Sequence, residues 1–167
     1  MNYQRSTRYG LYAALEMARA GPGGGPVTAA AIAAKYRLPP AALAKAIQRL
    51  VRSGVAVGTR GIAGGYRLAR PPSRLTVLDV VEVFESTRRP GDCLAGTCGP
   101  AGCEHFEECR MRQLFDEVDQ QARATLASVS LETLVAARPP FPALAALPAR
   151  ARCRALTPTR WSRAVWR

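Results

Sequence analysis

Four of the five cysteines, Cys93, Cys98, Cys103 and Cys109, fall within seventeen residues, "CLAGTCGPAGCEHFEEC", and the only histidine, His105, lies among them. Thiolates gathered this way can hold a metal centre or cycle between thiol and disulfide. The spacing is C-x4-C-x4-C-x5-C. It lacks the C-x2-C pairs usual in structural zinc sites. An iron–sulfur cluster is larger and accepts wider spacings, and "LAGT" and "GPAG" let the backbone fold around one. A 2Fe-2S or 4Fe-4S cluster is therefore the first reading. A thiol–disulfide switch is the alternative, followed by zinc or no cofactor.

Charge divides the chain into three parts. Residues 1–74 carry twelve Lys and Arg against one acid, Glu16. Residues 75–135 carry eleven acids against five basic residues, and residues 136–167 carry seven arginines and no acid. A basic first half suits a polyanion, duplex DNA above all. No apolar run approaches the roughly 20 residues of a membrane-spanning helix. The N-terminus has no continuous apolar core and reads as mature protein, so the expected place is the cytoplasm, with no membrane partner and reduced thiols.

The elements that must position these groups follow from periodicity. A first helix is expected over Ser6–Ala20, capped by Ser6 or Thr7, with Leu11, Leu15 and Ala18 on one face. "GPGGGP" ends it. Thr28 caps a short helix, "AAAIAAKY", and Pro39 and Pro40 lead into "AALAKAIQRLVRS". There Leu43, Ile47, Leu50 and Val51 form an apolar stripe opposite Ala41, Lys45, Gln48, Arg49 and Arg52. Gly54 suits a left-handed helix end. "VAVGTR", "GIAGG" and "YRLAR" read as a β-hairpin with a glycine-rich tip. Thr76 caps a helix containing Val77, Val80, Val81 and Phe84. After the cysteine loop comes a long helix with Met111, Leu114, Phe115, Val118, Ala122, Thr125 and Val129 in one stripe, then "SLETLVAA" capped by Ser130. The Pro-, Ala- and Arg-rich end, which holds Cys153, reads as a disordered tail.

Helix, short helix, turn, helix and glycine-tipped hairpin, in that order, make a winged helix-turn-helix. Its second motif helix enters the major groove, and its wing reaches the flanking groove or backbone. Ala41 and Ala42 could meet thymine methyls, Lys45 and Gln48 base edges, and Lys45, Arg49, Arg52 and Arg60 phosphates. The fold class is thus mainly α with a small β-hairpin wing.

These residues carry a resemblance. Gly54, Val55, Arg60-Gly61, Gly64-Gly65-Tyr66 and Leu68-Ala69-Arg70 resemble the wing of the IscR- and NsrR-type bacterial regulators of the Rrf-two family. "RLTVLDVVEVFE" and "SLETLV" resemble that family's next helix and closing segment, and the likeness spans about residues 1–137. It implies a homodimeric transcriptional regulator, not an enzyme, whose long helix crosses its partner. It also implies DNA contacts from Pro39, Ala41, Ala42, Lys45 and Arg60. Cluster-binding members draw three cysteines from this loop and a fourth ligand from elsewhere. The IscR-type histidine position is Arg112 here, and the NsrR-type acid position is Arg8. All-cysteine ligation by Cys93, Cys98, Cys103 and Cys109 is inferred instead, with Glu104 and His105 in reserve. The expected signal is iron–sulfur status, redox state or nitric oxide.

The expected divisions are a DNA-binding domain at 1–75, a linking helix at 76–92, a cysteine loop at 93–109, a dimerisation region at 109–137 and a tail at 138–167. An electron-transfer or cluster-assembly role would leave the wing and basic helix without use. A hydrolase would need partners for His105 that the sequence does not supply.

Overall fold

A computed structural model describes residues 3–21, 25–61, 64–85 and 108–136. Cys93, Cys98 and Cys103, with Glu104 and His105, lie outside the described residues, as do the wing tip at 62–63 and the expected tail. The described elements are α1 (Arg5–Ala20), α2 (Ala29–Tyr36), α3 (Pro40–Arg52), β1 (Ala56–Thr59), β2 (Gly65–Leu68), a 3₁₀ turn (Pro72–Arg74), α4 (Val77–Val81), α5 (Arg110–Ala127) and α6 (Leu131–Val135).

Local chemistry explains most boundaries. The Thr28 hydroxyl accepts the Ala31 N–H at 3.2 Å and starts α2. Thr76 and Asp79 form a reciprocal capping box on α4. Ser130 accepts the Thr133 N–H at 3.1 Å and starts α6. Pro39 and Pro40 occupy the cap and first position of α3, where no helical N–H is required.

The start of α1 differs from expectation. Its cap residue is Gln4, which supplies no side-chain cap, and Thr7 is buried inside the helix. The Thr7 hydroxyl donates to Glu85 Oε1 at 2.5 Å, and the Gln4 N–H donates to the same oxygen at 2.9 Å. A carboxylate from the far end of the domain thus serves the helix start. The buried face also differs. Gly10, Ala13, Ala14, Met17 and Ala18 are buried, whereas Leu11 and Leu15 are half-buried at its margins. Small residues let α1 lie close to its neighbours. A Cβ on Gly10 would sit 2.2 Å from the Phe84 ring.

The core lies where α1, α3, α4 and α6 meet. Ile32, Leu43, Ile47, Leu50, Leu75, Val80 and Leu131 are fully buried there. β1 and β2 pair antiparallel, with Ala56 opposite Leu68 and Thr59 opposite Gly65. Val27 adds a third, single-residue rung: its N–H and carbonyl exchange 2.9 Å bonds with Tyr66. The chain returns from α5 by a second isolated bridge, Thr76 to Ser130. The Val77 N–H donates to the Val129 carbonyl at 2.9 Å, and the Leu131 N–H to the Leu75 carbonyl at 2.8 Å. No described helix is long and apolar enough to cross a membrane.

Candidate nucleic-acid interface

Helix α3 is divided lengthwise. Leu43, Ala46, Ile47 and Leu50 are buried on its back. Ala41, Lys45, Gln48 and Arg52 are exposed, and their spacing of four, three and four residues places them on one line along the front. Lys45 and Arg52 make no hydrogen bond or ion pair within the described residues. Pro39 and Ala42 flank the helix start, exposed and half-buried respectively.

Arg49, expected among the phosphate contacts, also has partners inside the domain. Its guanidinium lies 4.7 Å from the centroid of the Phe84 ring and donates to the Val83 carbonyl. A cation over an aromatic face is attracted by the ring quadrupole. Arg49 is exposed, yet it is turned toward the end of α4 and braces α3 from the side. Sequence periodicity placed it with the basic front because it carried no information about Phe84, 35 positions away.

The wing root is attached directly to α3. Gly54, at φ 74°, closes the helix, and the Val55 N–H donates to the Leu50 carbonyl at 3.0 Å. β1 begins one residue later. At the far end, Arg60 is exposed and makes no hydrogen bond or ion pair within the described residues. The turn behind it demands glycine: a Cβ on Gly64 would lie 2.5 Å from the Thr59 carbonyl oxygen, and one on Gly65 would lie 2.8 Å from that of Val27. The second clash ties the Gly-Gly pair to the Val27 rung, a pairing that sequence reading missed.

Two other cations of this half, Arg19 and Lys35, are engaged by a carboxylate. Glu16, its sole acid, accepts hydrogen bonds from Lys35 at 2.7 Å, from the Tyr36 hydroxyl at 2.7 Å and from Arg19. Burial works against ionisation of Glu16, but these donors outweigh it and hold its carboxyl below the ordinary range. Burial and the bond to Glu16 raise the Tyr36 hydroxyl. The Tyr36 ring also packs on Tyr12, with centroids 4.4 Å apart. This cluster joins α1 to α2.

Of the four expected cluster ligands, only Cys109 is described. It is half-buried at the cap position of α5, with no side-chain cap and no acid in the first turn. The positive end of an 18-residue helix favours an anion there. Arg112, at the position of the IscR-type histidine, pairs with Asp116 at 3.7 Å. Along α5, Met111, Leu114, Phe115 and Val118 are 40–55% exposed, and no residue of the helix is buried.

Comparison with known proteins agrees with this architecture. Residues 3–137 match the Rrf2 family model, described as "Iron-dependent Transcriptional regulator". A Rhodopseudomonas palustris protein assigned as the HTH-type transcriptional regulator BadM is 39% identical over 135 residues, covering 81% of each chain. The HTH-type transcriptional regulator IscR of Xenorhabdus nematophila is 29% identical over 111 residues, covering 66% of this chain and 65% of its own. Among solved structures, CymR, the global cysteine regulator of B. subtilis, superposes with a TM-score of 0.67 at 26% identity, covering 83% of this chain and 99% of its own. T. potens IscR, at 23% identity, shares the fold with a TM-score of 0.63, covering 81% of this chain and 86% of its own. The chain belongs to the Rrf2 family of winged-helix, DNA-binding transcriptional regulators, which are not enzymes.

Proposed function

We propose that the chain works as a homodimer whose two α3 helices read adjacent major-groove segments, and whose DNA affinity responds to an iron–sulfur cluster. The front of α3 carries the reading. It is exposed, polar and basic, with Lys45 and Arg52 left without partners within the described residues, above a fully buried back. In this reading Pro39, Ala41, Ala42, Lys45 and Gln48 face base edges, and Arg52 and the wing's Arg60 face phosphates. Arg49 supports α3 from the side.

The dimer reading rests on α5. Four large apolar residues at one helical face are 40–55% exposed, and in this reading a second copy covers them. The cluster reading rests on donor chemistry. Cys109 fits a thiolate ligand at a helix start, and Cys93, Cys98 and Cys103 complete the set. A bound cluster would supply a centre sensitive to oxidants, nitric oxide or iron supply. The chain's own part is to hold it next to α5, whose other end is sewn to α4 by the Arg123–Glu82 ion pair and the Thr76–Ser130 bridge.

Anaerobic purification with iron, sulfide and zinc analysis tests the cluster. Matched iron and acid-labile sulfide, lost in Cys109→Ser, support it. Metal-free protein that resists reconstitution removes the cluster. If such protein also changes DNA affinity reversibly on oxidation, the thiols act as a disulfide switch.

A further inference from the structure

Two helices of this domain end in the same backbone turn, but one uses a residue that the turn disfavours. At the end of α3, Gly54 has φ 74°, its N–H donates to the Val51 carbonyl at 3.1 Å, and the Val55 N–H reaches back to Leu50 at 3.0 Å. At the end of α2, Arg37 has φ 51° and ψ 46°, its N–H donates to the Ala34 carbonyl at 3.4 Å, and the Leu38 N–H reaches back to Ala33 at 3.0 Å. Glycine is favoured at this position because any Cβ crowds the backbone in the left-handed region. Among the described residues Arg37 is the sole non-glycine with positive φ.

The turn's backbone bonds would form as well with glycine, and no side-chain partner among the described residues accounts for an arginine there. The Arg37 side chain is exposed and makes no hydrogen bond or ion pair there. The other cation of the α2 segment, Lys35, is held by Glu16, so Arg37 is the one left available. Its root is fixed, because Leu38 packs against the core and Pro39 begins the approach to α3. Strained backbone persists where the surrounding structure over-determines it, and such residues cluster at functional sites. The turn between the two helices lies beside the start of the helix that presents base-reading residues. In helix-turn-helix docking the helix before the reading helix crosses the phosphate backbone.

We propose that Arg37 is a DNA-backbone anchor, pairing with a phosphate at the edge of the groove that α3 enters and fixing the register of the reading head. The contact is independent of sequence. The assignment rests on the DNA-facing reading of α3.

The test compares Arg37→Gly, Arg37→Lys and Lys45→Ala in the intact chain. The probe is a duplex selected by the wild-type protein from a randomised pool, with a mixed-sequence duplex beside it. For Arg37→Gly the melting temperature is expected at or above that of the wild type, because the turn is relieved. Its affinity is expected to fall roughly three- to tenfold on both duplexes, and the slope of log K against log salt to shrink by about 1. Arg37→Lys should retain most of that slope. Unchanged affinity and slope in Arg37→Gly, with Lys45→Ala still weakened, would overturn the anchor alone. Unchanged binding in both would overturn the anchor together with the α3 assignment. A lowered melting temperature accompanying the loss in Arg37→Gly would show a structural residue and also overturn it.

Discussion

The winged-helix block and α5 are built on opposite plans. In the block, apolar side chains from α1, α3, α4 and α6 close on one another until Leu43, Ile47, Leu50, Leu75, Val80 and Leu131 see no solvent. Its stray polar groups are matched too: Thr7 with Glu85, Glu16 with Lys35 and Tyr36, Arg49 with Val83. Helix α5 has the same heptad-like apolar spacing as a core helix, yet none of its residues is fully buried. A block that completes its own core can fold as one chain. Helix α5 leaves Met111, Leu114, Phe115 and Val118 40–55% exposed, and the proposed dimer would complete it by association.

The sharpest way to break this contrast is to delete a large side chain on each side of it. Phe84→Ala should cost the block about 3–5 kcal/mol, read as a lowered urea midpoint with an unchanged slope. Leu114→Ala should stay within about 0.5 kcal/mol at protein concentrations where the chain is monomeric. Equal costs would mean that α5 is packed within its own chain.

Next in size is the consequence for assembly. Wild-type protein should show a melting temperature that rises with concentration and a sedimentation profile of two copies. Leu114→Asp should abolish both while leaving the far-ultraviolet spectrum of the block intact. A single-copy wild type at high concentration would defeat the association reading.

Gly10→Ala sharpens the packing side. The added methyl meets the Phe84 ring at 2.2 Å, so a loss of about 1–3 kcal/mol is expected. Phe84→Leu in the same chain should recover part of it. Additive losses would show that the two do not touch.

Arg49→Gln should cost less, about 0.5–2 kcal/mol, through the lost ring and carbonyl contacts. Its salt slope for DNA should match the wild type, in contrast to Arg52→Ala.

The smallest effect is titration of Glu16. Its carboxyl ionises below the ordinary range in the folded chain. Ionised Glu16 therefore stabilises the fold above its unfolded pKa of about 4.3, and that contribution is lost as pH falls through the lowered folded value. Glu16→Gln should be less stable than wild type at pH 7. The difference should close as the pH falls below about 4, measured by thermal melts across that range.

What the sequence determined by itself is local. Thr28, Thr76 and Ser130 cap the helices expected of them, Pro39 and Pro40 open α3, Gly54 closes it, and the Gly64-Gly65 pair turns the wing. Each of these acts on backbone groups only a few residues away, so identity and spacing suffice. The Arg49 contact, the Glu85 carboxylate at the start of α1, the Val27 rung and the Glu16 cluster were decided by tertiary structure. Apart from the bonds of Arg19, their partners lie 19 to 81 positions apart where hydrogen bonds define them. A periodic pattern reports which face of a helix is apolar. It does not report which neighbour will cover that face. For that reason α3 and α5 read alike in the sequence, and only the folded chain shows that one stripe is buried and the other is left exposed.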